Sequence, residues 1–135
     1  VVLARKRLEQ FQNHLMLFFT GFSRTSSEIA KEQIRKTKDN KSELKALFQT
    51  VDEGISILKG SGPLDDFGKL LHESWNIKRG LTSKISSPYI DQIYDTARKA
   101  GAVGGKLLGA GGGGFLLIFA QPEFHLQIKT FFHLL

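Results

Sequence analysis

The chain contains no cysteine, only three prolines, and a single methionine and a single tryptophan in 135 residues. Without cysteine there is no disulfide framework and no thiolate metal site. The absence fits a reducing compartment, and a cytoplasmic location is expected. No apolar run approaches the roughly 20 residues of a helical membrane span, so no membrane partner is expected. The opening "VVLARKRLEQ" lacks the ordered basic, apolar and small-residue regions of a signal peptide. It also lacks an initiator methionine, which leads us to expect a processed chain or a piece of a longer one. The four histidines, His14, His72, His125 and His133, show no metal-ligand spacing, and no H-E-x-x-H occurs. No metal site is therefore expected here. Helix-turn-helix and zinc-finger spacings are missing too, as is an aromatic-rich basic strand. The net charge of +6 thus reads as solvated helix faces on which Lys and Arg mix with Glu and Asp. Only "RKR" at 5–7 and "KEQIRKTKDNK" at 31–41 are dense, and no nucleic-acid partner is expected.

What the chain does hold is enough apolar residue, 41%, for one cored domain, taken as residues 1–135. Residues 3–13 space Leu8, Phe11 and Leu15 as a short helix. "LMLFF" at 15–19 is a continuous apolar run closed by Thr20-Gly21 and reads as a buried strand. Thr25 and Glu28 have capping-box spacing, so a thinly apolar, mostly exposed helix is expected from there. The clearest helix is "KSELKALFQTVDEGISILKG", where Leu44, Leu47, Phe48, Val51, Ile55 and Leu58 form one stripe, Ser42 caps and Gly60 to Pro63 stop. A further helix over 64–80 opens on Asp65 and Asp66 and turns Phe67, Leu70, Leu71, Ile77 and Leu81 inward; Trp75 is expected in the core. Ser87 and Pro88 then start a helix burying Ile90, Ile93, Tyr94 and Ala97, ended by Gly101. A strand over 102–108, a loop over 109–114 and a strand over 115–120 follow. Pro122 opens a last helix with Phe124, Ile128 and Phe131 inward. The order is that of an α+β, ferredoxin-like β-α-β-β-α sandwich with extra helices and its final strand missing. The first strand is then expected to lack a neighbour on one side, which invites self-association.

The conspicuous feature is "GGKLLGAGGGGFLLIFA". Five of the six residues from Gly109 to Gly114 are glycine, a costly amount of backbone freedom to order. Gly109, Gly111 and Gly114 satisfy G-x-G-x-x-G, but a strand follows where a dinucleotide fold needs a helix. A Walker A loop fails as well, since Lys106 precedes the glycines. What remains is either a loose hairpin or a loop of backbone N–H groups, open to a phosphate or to another loop.

"GGKLLGAGGGGFLL" resembles the third conserved motif of the GHMP kinases. "LMLFFTGFSRTSSEIAKEQ" resembles the start of that family's C-terminal domain, and "LLHESWNIKRGLTSKISSP" is most similar to its D-glycero-D-manno-heptose phosphate branch. Leu108 stands where many members carry Thr or Ser. The resemblance implies a two-lobe kinase of which this chain is the C-terminal lobe. It implies that the N-terminal ATP-loop lobe, which would hold the catalytic residues, lies outside this chain, in which no "GLGSS" is found. It implies ATP and Mg²⁺ in the full enzyme and γ-phosphoryl transfer to a sugar phosphate, at the anomeric hydroxyl of a heptose 7-phosphate. The isolated chain is expected to be inactive. The nucleotide and phosphate loop would be Gly109, Ala110, Gly111, Gly112, Gly113 and Gly114. An alanine at Gly111 or Gly112 is expected to cost activity while barely touching the fold. Thr20, Ser23, Arg24 and Lys106 are candidate substrate contacts; the other reading is that Thr20, Ser23 and Arg24 finish the strand and cap a helix and that Lys106 is a solvated strand residue. A non-catalytic metabolite-binding regulatory module is the alternative.

Overall fold

A computed structural model describes residues 1–21 and 26–135. Helix α1 (Arg5–Asn13) leads into strand β1 (Leu15–Phe19). Helices α2 (Ser26–Arg35), α3 (Lys41–Lys59), α4 (Asp65–Arg79) and α5 (Pro88–Lys99) follow. Strands β2 (Gly104–Leu107) and β3 (Phe115–Phe119) come next, then a 3₁₀ turn (Pro122–Phe124) and helix α6 (His125–His133). The sheet order is β1-β3-β2, antiparallel throughout, with Met16 opposite Ile118 and Leu107 opposite Leu116. This is the expected β-α-β-β-α order. Among the described residues β1 pairs only with β3, so its other edge is free, as the sequence implied.

Because side chains alternate along a strand, the register assigns two faces. Met16, Phe18, Leu107, Leu116 and Ile118 share one of them. They form one cluster with Ile90, Ile93, Tyr94 and Ala97 of α5 and Ile128 of α6, and Phe18 meets Phe132 edge-on at 4.4 Å. Ser87 caps α5 through Ile90 N–H, with Pro88 in the first turn. Trp75 is fully buried in the same core.

The opposite face carries Leu15, Leu17 and Phe19 beside Phe115, Leu117 and Phe119. Its Phe119 end is covered, where Phe11 of α1 and Phe67 of α4 gather. Helix α4 lies tight along β2. A Cβ on Gly68 would come within 2.6 Å of Phe119 Cδ1, and one on Gly104 would run into the Gly68 carbonyl. Two facing glycines are what lets helix and strand approach this closely.

Several local expectations need correction. Ser42 does not cap α3: the helix starts one residue earlier behind Asn40, and Ser42 Oγ donates to Glu43 instead. The α3 stripe is not a core stripe, since Phe48 is 71% exposed and Val51 55%. That side opens onto a groove of about 220 Å³ shared with Phe67, Leu70 and Lys106. Phe131 points outward and Phe132 takes the inward place, because Pro122 opens a 3₁₀ turn and α6 begins only at His125. The strand expected over 102–108 is confined to Gly104–Leu107. The capping box at Thr25 falls outside the described residues.

Candidate functional site

The loop from Gly109 to Gly114 is neither loose nor a tight hairpin turn. Gly109, Gly111, Gly112 and Gly114 all have positive φ, at 78°, 118°, 77° and 97°. Such a run is closed to ordinary L-residues. Five hydrogen bonds from five different places hold it. Leu108 N–H donates to Phe115 O at 2.8 Å, closing the hairpin, and Thr20 N–H at the end of β1 donates to Gly114 O at 2.8 Å. Gly112 N–H donates to Ile85 O at 2.7 Å, tying the loop to the α4–α5 connection. Gln33 Nε2 of α2 donates to Ala110 O at 2.8 Å, and Lys78 Nζ of α4 donates to Gly109 O at 2.5 Å.

That tethering changes the reading of single glycines. A Cβ on Gly111 would sit 2.9 Å from Ile85 Cα, so alanine there strains the fold itself. Gly112 spends its N–H on Ile85, inside the protein. The expectation that alanine would barely touch the fold is therefore overturned at Gly111; at Gly112 alanine would keep the N–H bond, and the positive φ of 77° opposes it. The loop's remaining N–H groups, at Gly109, Ala110, Gly111, Gly113 and Gly114, are given to no carbonyl of a described residue. Gly111 and Gly113 are nonetheless buried. Buried backbone donors rarely go without an acceptor.

The other sequence candidates separate. Thr20 is buried and stands against the loop. Lys106 is half-buried and lines the α3–α4 groove, and burial lowers its pKa. Ser23 and Arg24 lie outside the described residues. Lys78 and Gln33 were not legible as site residues. Each sits in an ordinary charged helical stretch, and only the fold carries them across 31 and 77 positions to the loop. Burial, and then the charge of Lys106, push the Lys78 ammonium down to about 8. His72 behaves as packing: its Nδ1 is 2.6 Å from the buried Tyr94 hydroxyl, and burial lowers its pKa.

Among the described residues no three acidic or histidine side chains stand together as a metal site. The donor set does not fit Mg²⁺. An anion fits better: the loop presents N–H donors, the Lys78 ammonium touches it at Gly109, and no ion pair of Lys78 occurs among the described residues.

Comparison with known proteins gives a consistent result. Residues 55–128 match the family described as "GHMP kinases C terminal". The D-glycero-alpha-D-manno-heptose 7-phosphate kinase of Campylobacter jejuni is 32% identical over 116 residues, covering 84% of this chain and 34% of that protein. The L-fucokinase/L-fucose-1-P guanylyltransferase of Bacteroides fragilis is 30% identical over 128 residues, covering 89% of this chain and 13% of that protein. The chain thus spans about a third or less of these relatives' lengths. Among solved structures, L. major mevalonate kinase in complex with R-mevalonate superimposes with a TM-score of 0.77 over 89% of this chain and 37% of that one. At 22% identity that likeness concerns the fold.

Proposed function

Because this chain belongs to the GHMP kinase family, as a C-terminal domain of it, we propose that it is the C-terminal lobe of an ATP-dependent sugar kinase, with a D-glycero-D-manno-heptose 7-phosphate as acceptor. In the proposed reaction the anomeric hydroxyl oxygen of the sugar bonds to the γ-phosphorus of ATP. The bond from that phosphorus to the β,γ-bridging oxygen breaks and ADP leaves. The hydroxyl proton passes to a base that belongs to the N-terminal lobe. Such transfers depend on positioning and charge neutralisation more than on covalent help from the protein. The part played by this chain is to bind and orient. The N–H groups of the loop donate to the crowded phosphate oxygens, and the five tethers keep them aimed before the substrate arrives, which is what makes such donors effective. Thr20 and Gln33 act by holding the loop in place.

The observation that carries this reading is the tethered glycine loop whose remaining N–H donors go to no carbonyl of a described residue. The heptose acceptor draws its support from the C. jejuni relative, while the fucokinase likeness supplies the competing acceptor. The test is ATP turnover by the full-length protein with heptose 7-phosphate, L-fucose and R-mevalonate side by side, with the 135-residue chain as control. Turnover of the heptose phosphate by the full-length protein alone is expected. Preference for L-fucose would replace the acceptor and keep the lobe assignment. No turnover with any acceptor would leave a binding module in place of a kinase lobe.

A further inference from the structure

Helices α3 and α4 form a helical hairpin through residues 60–64. The groove of about 220 Å³ runs between them and reaches Lys106 of β2. Gly54 lies inside α3, where glycine is less stable than alanine. Helix packing does not require it: an added Cβ would meet Leu70 at 3.5 Å and Phe67 at 3.6 Å, ordinary van der Waals contact. Gly54 lines the groove, so what its missing side chain provides is room there. Val51, Ile55, Leu58 and Phe67 make the walls apolar. Two polar side chains in the groove have no partner. Ser74 is only 7% exposed, and its hydroxyl makes no hydrogen bond among the described residues. Lys106 is half-buried and stands on the sheet face opposite to that of its core neighbour Leu107. It makes no hydrogen bond or ion pair among the described residues. No acidic residue lines the groove. An apolar slot with a few convergent polar groups is the make-up of a small-molecule site, and this one falls below the about 300–1,000 Å³ of sites for drug-sized ligands.

We propose that the α3–α4 groove binds a short carboxylic acid, its apolar chain along Ile55, Leu58 and Phe67 and its carboxylate on Lys106 and Ser74. The Lys106 ammonium and the Ser74 hydroxyl each donate to a carboxylate oxygen, and the contact with the ammonium is charge-assisted. One negative charge matches the one cation that lines the groove. A phosphate dianion would carry a second charge into apolar walls, and an alcohol would leave the ammonium without a counter-charge. The other hydroxyl at the groove, that of Thr50, is already committed to the Leu47 carbonyl at 2.6 Å. The chain of the acid takes the space that Gly54 leaves open. This inference does not rest on the kinase reading.

The experiment uses the full-length protein with hexanoate as the probe, and hexan-1-ol and inorganic phosphate as controls at equal ionic strength. Hexanoate is expected to raise the unfolding temperature of wild type in a saturable way, as a ligand of the folded state does. Neither control should match it. Calorimetric titration then gives the hexanoate affinity of each variant. Lys106→Met keeps the stem and removes the charge, and should weaken binding about tenfold or more. Gly54→Ala should weaken it several-fold, yet unfold no earlier than wild type when hexanoate is absent, because alanine is the better helix residue. A loss of binding in that variant cannot come from a damaged fold. No hexanoate response in wild type overturns the proposal, and is also the outcome if another part of the full-length protein fills the groove. Equal affinity in wild type and in either variant overturns it by placing the acid elsewhere. A Lys106-dependent response to phosphate or to hexan-1-ol as large as that to hexanoate overturns the carboxylate as the recognised group.

Discussion

At the scale of single residues, the loop separates two kinds of glycine. At Gly109 an added Cβ would meet nothing within 4 Å, so only its φ of 78° opposes a substitution. At Gly111 the φ of 118° is joined by a Cβ 2.9 Å from the Ile85 backbone. The left-handed penalty is about 1–2 kcal/mol, and a clash with backbone cannot be relieved by a rotamer change. Gly111→Ala is therefore expected to destabilise by more than Gly109→Ala. Urea unfolding of the two variants checks the order, and equal midpoints would mean that the Ile85 segment gives way. Lys78 supplies a second residue-scale prediction. Its pKa is about 8 in the folded chain against an ordinary 10.5, so between those values the unfolded chain binds the extra proton. Below the folded value the buried charge costs stability in full, and the cost is relieved as pH rises through that window. The gain in unfolding midpoint from pH 7.5 to 9.5 should be larger for wild type than for Lys78→Met. Identical gains would place the Lys78 ammonium in water.

At the scale of elements, what sequence shows well is what local chemistry decides. Ser87-Pro88 starts α5 where expected, and the inward set Ile90, Ile93, Tyr94 and Ala97 is buried to the last member. The strand-loop-strand reading of residues 102–120 also holds, because a glycine run cannot continue either strand. What periodicity cannot show is which amphipathic face has a partner. The α3 stripe is as regular as that of α5, yet its Phe48 and Val51 face solvent in this chain. The tethers of the loop were hidden for a related reason: Gln33 and Lys78 look like any solvated helical residue until the fold closes. A contrast between helices follows. Phe48→Ser should change the unfolding free energy of this chain by no more than about 0.5 kcal/mol. Ile93→Ala, in the α5 core, should cost about 2–5 kcal/mol. Chemical denaturation of both variants measures the difference, and a large loss at Phe48 would mean that the α3 stripe is covered.

At the scale of the whole molecule, the free edge of β1 and the open face of the sheet coincide. Leu17 and Phe19 are each 57% exposed and Phe115 48% exposed, all on the face away from α5 and α6. Along β1, N–H and C=O groups that no described strand pairs lie directly beside this apolar surface. A strand edge of that kind is a template for another chain, since pairing satisfies the backbone and buries the side chains in one step. Its length of five residues limits the gain per contact, and the net charge of +6 opposes close approach at low salt. Association of the 135-residue chain is therefore expected to grow with both protein concentration and ionic strength. A lysine in place of Leu17 adds a charge at the middle of the exposed edge while leaving the Met16–Phe18 face of the strand in the core. Light scattering on wild type and Leu17→Lys, at low and at moderate salt, gives the decision. A rising mass for wild type and a constant monomer mass for the variant would place the contact at β1. Equal masses for the two, whether both associate or both stay monomeric, would show that this edge does not drive assembly and that side-chain exposure there is tolerated as it stands.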